Sequence, residues 1–156
     1  MAALLTLTGC DSATISTTYL PVLVSGDPFP VPRDQFAADV ADALQGTVLG
    51  ANTSFVPAQP GSPAAYRIAM DFSGSSTAAS LCTRRDVPAS SRPAVNPAAG
   101  SRTSVSAVLC RGDKAITDAN GSLPLGDGPR SAAFRNGVAQ FGMALFPLRT
   151  APGVHG

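Results

Sequence analysis

The stretch Tyr66-Arg67-Ile68-Ala69-Met70-Asp71-Phe72 decides the fold class. Tyr66, Ile68, Met70 and Phe72 alternate with Arg67, Ala69 and Asp71, which is the two-residue period of a half-buried strand. Upstream, Phe36, Val40 and Leu44 recur at i, i+4 and i+8, with Ala37, Ala41 and Ala43 widening the apolar face. This spacing predicts a helix that opens near Pro32, has Asp34 in its first turn and stops at Gly46. Between helix and strand, Thr53-Ser54-Phe55-Val56 reads as a short strand ended by Pro57.

Downstream, Val105, Ala107 and Leu109 share one face of a strand over Ser104–Cys110. Arg111-Gly112-Asp113-Lys114 supplies a hairpin turn, and Ala115 to Ser122 returns. A closing helix is expected from about Arg130 to Phe146, with Phe134, Val138, Phe141 and Leu145 as its stripe. Gly137 and Gly142 each weaken that helix by about 1 kcal/mol relative to Ala, so close packing must compensate. Near the start, Thr14–Leu20 is rich in β-branched residues, and Pro21 places such a strand at an edge or an end. The reading is α+β: a small antiparallel or mixed sheet with two amphipathic helices packed on one face. The single domain spans 32–149, with a mobile Pro/Ala/Ser-rich loop at 87–102 and a disordered tail at 150–156.

The 156 residues suit one domain. All ten acidic residues are Asp, ten of the eleven basic ones are Arg, and the single His is His155 in the tail. The counts exclude a transmembrane bundle, a disordered polyelectrolyte and a nucleic-acid binder driven by bulk charge. Nucleophilic catalysis needs a base beside its nucleophile, and acid–base work needs paired titratable groups. With no Glu and one terminal His, no catalytic residue is assigned, and no cofactor is expected. Asp34, Asp39 and Asp42 read as a solvated helix face. Gly126-Asp127-Gly128 lacks the third glycine of a dinucleotide fingerprint and reads as a turn. Asp118-Ala119-Asn120-Gly121 lacks the closing glutamate of a calcium loop.

The first residues are more specific. Met1–Gly9 is uncharged and apolar, and Leu7-Thr8-Gly9-Cys10 resembles the bacterial lipobox. The resemblance implies that Cys10 is acylated and becomes the first residue of the mature chain. Residues 1–9 would then be a residual signal peptide, and 10–31 a lipid-anchored tether leading into the first strand. A membrane partner through the acyl chains and a location in the bacterial envelope, facing the periplasm, follow from the same resemblance. Secretory signals have roughly 15–30 residues and a basic start. Here nine residues, none basic, precede Cys10; a start codon assigned too far downstream is the expectation. The competing reading is an apolar strand or helix with Cys10 a buried thiol.

Setting Cys10 aside leaves Cys82 and Cys110, an even remainder that reads as one disulfide in an exported protein. Two buried thiols are the cytosolic alternative. Zinc is excluded, because it wants four ligands and no His or third Cys stands near.

Net charge conceals a division. Residues 1–81 carry two Arg against six Asp, a net −4. Residues 82–114 carry Arg84, Arg85, Arg92, Arg102, Arg111 and Lys114 against Asp86 and Asp113, a net +4. These six basic residues are candidates for binding anionic lipid, cell-wall polymer or an acidic protein surface. A solvated loop is the plainer alternative. Without interleaved aromatic residues, no nucleic-acid partner is expected.

Phe36 through Leu44, then Phe55-Val56, then Ala65–Phe72 together resemble auxiliary lipoproteins of ABC-type lipid-transport systems. The likeness covers about two thirds of the chain and rests on generic motifs: a helix, a short strand, a Tyr-Arg-aliphatic strand, a hairpin and a closing helix. The long loop and the Cys pair depart from it. It implies a non-catalytic accessory of an envelope transport or assembly system. The other reading is a structural envelope lipoprotein without a dedicated partner complex.

Overall fold

The computed structural model describes residues 18–47, 53–59, 64–84 and 92–146. Eight elements follow one another: β1 (Thr18–Ser25), α1 (Arg33–Leu44), β2 (Thr53–Pro57), β3 (Tyr66–Asp71), α2 (Ala78–Thr83), β4 (Arg102–Arg111), β5 (Lys114–Pro124) and α3 (Ala132–Leu145). The strands form one mixed sheet in the order β2-β1-β3-β4-β5. β1 is parallel to both of its neighbours, while β3, β4 and β5 run antiparallel in turn. The fold is α+β, as the periodicities imply.

β1 corrects one expectation, since it lies inside the sheet and not at an edge. Its first half pairs with β2, from Thr18 opposite Thr53 to Val22 opposite Pro57. Its second half pairs with β3 from Val22 opposite Ile68 onward. Pro21 fits here for a local reason. The Val22 carbonyl accepts from Ala58 on the β2 side, so by alternation the nitrogen of Pro21 points the other way. On that side the β3 ladder begins only at Val22, and no hydrogen bond is forfeited there.

α1 and α3 lie on one face of the sheet. Leu20, Val22 and Val24 of β1, Ile68 and Met70 of β3, and Val105 and Ala107 of β4 meet Val40, Leu44, Phe134 and Val138 there. Phe29, Phe36, Phe72 and Phe134 form an edge-on aromatic cluster, with centroids 5.1 Å apart for Phe29–Phe134 and for Phe36–Phe72. Such pairs add about 0.5–1.5 kcal/mol each beyond burial. Phe29 comes from the Pro-punctuated stretch before α1, between Pro28 and Pro30.

Pro32 is the N-cap of α1, one position earlier than a first helical residue, and Gly46 follows its C-cap at φ +78°. The C-cap residue Gln45 turns its side-chain amide onto β2. Its Nε2 donates to the Phe55 carbonyl at 2.7 Å, and its Oε1 accepts from the Phe55 N–H at 3.1 Å. Both groups point away from β1, so Gln45 closes part of a sheet edge that would otherwise be open to pairing.

The two glycines of α3 are contact points. A Cβ on Gly137 would stand 2.9 Å from Leu123 Cβ on β5, and one on Gly142 would stand 2.8 Å from Leu44 and Thr47. Ser131 caps the helix through the Phe134 N–H. α3 therefore runs from Ala132 to Leu145, slightly shorter than the expected Arg130–Phe146.

A third helix, α2, covers the opposite face of the sheet. Thr77 and Ser80 form a capping box at its start, and Leu81 and Cys82 pack on Ala69, Val108 and Cys110. β3 is consequently buried on both faces rather than one: Arg67 is 8 % and Asp71 2 % exposed. The solvated face expected of α1 holds at Asp34 and Asp42, which are exposed, and is corrected at Asp39. Asp39 is buried against Arg130 at 3.1 Å, whereas Asp42 meets Arg135 at 2.6 Å on the surface. Alternation and helical spacing identify the first covered face but carry no information on whether a second element covers the other.

Candidate functional site

Cys82 on α2 and Cys110 on β4 are joined in a disulfide, with their Cα atoms 5.5 Å apart. Both residues are fully buried. The bond fastens a six-residue helix, too short to persist alone, to the sheet.

Beneath it lies Arg67, which stands opposite Cys110 in the β3–β4 register. Its guanidinium donates to the carbonyl of Cys82, to that of Gly112 at 3.1 Å and to that of Arg84 at 3.5 Å. One buried cation thus gathers the C-terminal end of α2, whose last carbonyls lack helical partners, and the β4–β5 turn.

At the other end of β3, the Asp71 carboxylate accepts from the Ser73 N–H at 3.0 Å and the Ser73 hydroxyl at 2.7 Å. Burial by itself would push this carboxyl up. The hydroxyls of Ser76, Ser73 and Ser25 and the Ser73 N–H together outweigh it and hold the group below its ordinary value near 3.8. Oδ2 has no partner in hydrogen-bond geometry. Arg84 reaches into the same region, to Ser25 Oγ at 3.4 Å and Ser76 Oγ at 3.2 Å.

Of the six basic residues read as one segment, the five that are described are not brought together. Arg84 turns inward to Ser25 and Ser76. Arg92 donates to the Val31 carbonyl at 3.1 Å. Arg102 opens β4 and lies on Ser122, with its Nε 3.2 Å from the hydroxyl. Arg111 closes β4, about 30 Å from Arg102 at the rise of a β-strand. Among the described ones, only Arg111 and Lys114 are neighbours, directly opposite across the hairpin. Arg85 and Cys10 lie outside the described residues, as do residues 87–91 of the expected loop. Residues 92–101 carry neither helix nor strand, whereas Arg102 belongs to β4.

The Arg111–Lys114 pair has aromatic company that the charge pattern did not reveal. Tyr66 lies opposite Arg111 on β3, and the Arg111 guanidinium stands over its ring, 5.9 Å from the centroid. Tyr19, one residue from the start of β1, is 67 % exposed. At the opposite end of the sheet, the first turns of α1 and α3 border an open cleft of about 470 Å³ lined by Val31, Gln35, Asn96, Asp127, Arg130 and Ser131. Among the described residues, no three metal-ligating side chains converge, and no helix is long and apolar enough to cross a membrane.

Comparison with protein-family models, with curated proteins and with solved structures gives no match.

Proposed function

We propose that this chain is a lipid-anchored protein of the bacterial cell envelope, facing the periplasm. It acts by binding, as a non-catalytic accessory of an envelope transport or assembly system. The observation that carries the reading is the buried Cys82–Cys110 disulfide. Disulfides persist in oxidising compartments outside the cytosol, and this one leaves Cys10 as the sole unpaired cysteine. That residue ends Leu7-Thr8-Gly9-Cys10, the tetrapeptide that resembles a lipobox. Three acyl chains on Cys10 would contribute about 0.8 kcal/mol per buried methylene, enough for stable anchoring.

Labelling cells with a radioactive fatty acid, with the upstream sequence restored, tests the anchor. The label is expected on the wild type and absent from Cys10→Ser; an unlabelled wild type ends the reading. Affinity purification from solubilised membranes tests the accessory role. Components of one transport or assembly complex are expected to come with it. Recovery of the protein alone would leave a structural lipoprotein without a dedicated complex.

A further inference from the structure

The chain has two tyrosines and one lysine, and all three occupy one end of the sheet. The register fixes this. Val22 stands opposite Ile68, Tyr66 opposite Arg111, and Arg111 opposite Lys114. Tyr66, Arg111 and Lys114 therefore form a row on consecutive strands, about 4.8 Å between neighbours. Cross-strand partners share a face, so the row lies on one side of the sheet, and Tyr19 projects from the same end on the other side. Tyr19 and Tyr66 are 67 % and 43 % exposed, and Ile116 beyond the turn is 48 % exposed.

Two features of this row are costly for a merely soluble surface. Like charges directly opposite on paired strands repel, and exposed tyrosine rings gain little in bulk water. Both features suit a membrane interface. Tyrosine settles at headgroup level, with its ring in the apolar boundary and its hydroxyl in water. Arginine and lysine are drawn to anionic headgroups there. Asp113, in the turn between the two cations, lowers the local charge to a net +1, so aromatic insertion must supply part of the attraction.

The chain outside the described residues points the same way. β1 begins at Thr18 at this very end, and seven residues, Asp11–Thr17, separate it from Cys10. Fully extended, they reach at most about 25 Å. An anchored domain is thus held with the Tyr66–Arg111–Lys114 end nearest the bilayer. The cleft at the first turns of α1 and α3 faces away from it.

We propose that Tyr19, Tyr66, Arg111 and Lys114 form a docking surface for an anionic phospholipid bilayer, which orients the domain on its anchor. The proposal rests on the lipid-anchored reading, but its test is independent of acylation. Full-length chain carrying Cys10→Ser, and so unlipidated, is sedimented with vesicles of equal parts phosphatidylglycerol and phosphatidylcholine, and with phosphatidylcholine vesicles alone. Salt-sensitive binding to the anionic vesicles is expected. Arg111→Ser/Lys114→Ser should weaken it about 30-fold, given the attraction of each basic residue near such a surface. Tyr19→Ser/Tyr66→Ser should weaken it at unchanged charge. Arg92→Ser/Arg102→Ser, with the same charge loss at the far end, should leave binding intact. Urea midpoints equal to that of the parent chain confirm that each variant is folded. Equal losses from the two double-arginine/lysine variants, or no preference for the anionic vesicles, overturn the proposal. Vesicle binding without acyl labelling of Cys10 in cells would sink the anchor alone; labelling without vesicle binding would sink the docking surface alone.

Discussion

Arg67 holds Cys82 by its carbonyl, to which the guanidinium donates, while the Cys82 sulfur is bonded to Cys110, the residue opposite Arg67 on β4. The buried cation and the disulfide thus hold the same helix from its two sides. Hydrogen bonds to a charged group contribute about 1.5–3 kcal/mol each, and orphaned buried carbonyls cost about as much. Arg67→Met, which keeps the stem and removes the donors, should lower stability by about 3 kcal/mol. Denaturant unfolding of the oxidised protein measures this; a loss below about 1 kcal/mol would show that the guanidinium is not holding α2.

The disulfide should contribute a comparable amount by another route. Closing a loop of 28 residues restricts the unfolded chain, which corresponds to about 3–4 kcal/mol in the chain-entropy model. Cys82→Ala/Cys110→Ala should lose that much. Hydrogen exchange should accelerate first in Ala78–Thr83, because α2 has little other apolar attachment. Exchange that accelerates uniformly would contradict the assignment of the bond to α2.

Gly137 and Gly142 should respond differently to Ala. Each substitution gains about 1 kcal/mol of helix propensity. At Gly137 the new methyl meets Leu123 Cβ, which moves only with the strand backbone, and overpacking of this kind costs about 1–3 kcal/mol. At Gly142 the nearest carbon is Leu44 Cδ2, the free end of a flexible side chain, beside Thr47 Oγ1. Gly137→Ala should therefore be net destabilising, and more so than Gly142→Ala. Thermal melts of both variants decide the order.

The Asp71 carboxyl should impose an acid limit. Its value in the folded protein lies below the ordinary 3.8, so between the two the unfolded chain binds the extra proton. Its contribution is complete above about 3.8 and is lost as pH falls through the folded value. Asp71→Asn removes this term. Plotted from pH 2 to 6, the urea midpoint of the wild type should fall more steeply on the acid side than that of the variant. Parallel curves would mean that the serine hydroxyls do not favour the charged form.

Local order determined much of what is observed here. Helical spacing over Phe36–Leu44 and Phe134–Leu145, and the Gly112-Asp113 turn between two alternating runs, each demand one conformation whatever surrounds them. Gly112 adopts φ +59° at the first central position of a two-residue hairpin loop. The pairing of Cys82 with Cys110 followed from parity, since no other partner remained once Cys10 was set aside.

Tertiary structure alone decided which faces are wet and which charges meet. Strand alternation is the same whether the second face meets water or a helix, so Arg67 and Asp71 read as solvent-facing until α2 closed over them. α2 itself left only a short trace, the Thr77–Ser80 box before Leu81 and Cys82, because six residues are too few to display a period. Pro21 signalled an edge, yet the staggered partners of β1 allow it inside the sheet. The six basic residues are neighbours in the chain, but a ten-residue strand carries Arg102 and Arg111 to opposite ends of the molecule. The same strand register gathers Tyr66, Arg111 and Lys114 from three strands into one row. Sequence proximity reports charge per segment, whereas a surface is assembled from residues that only the sheet brings side by side.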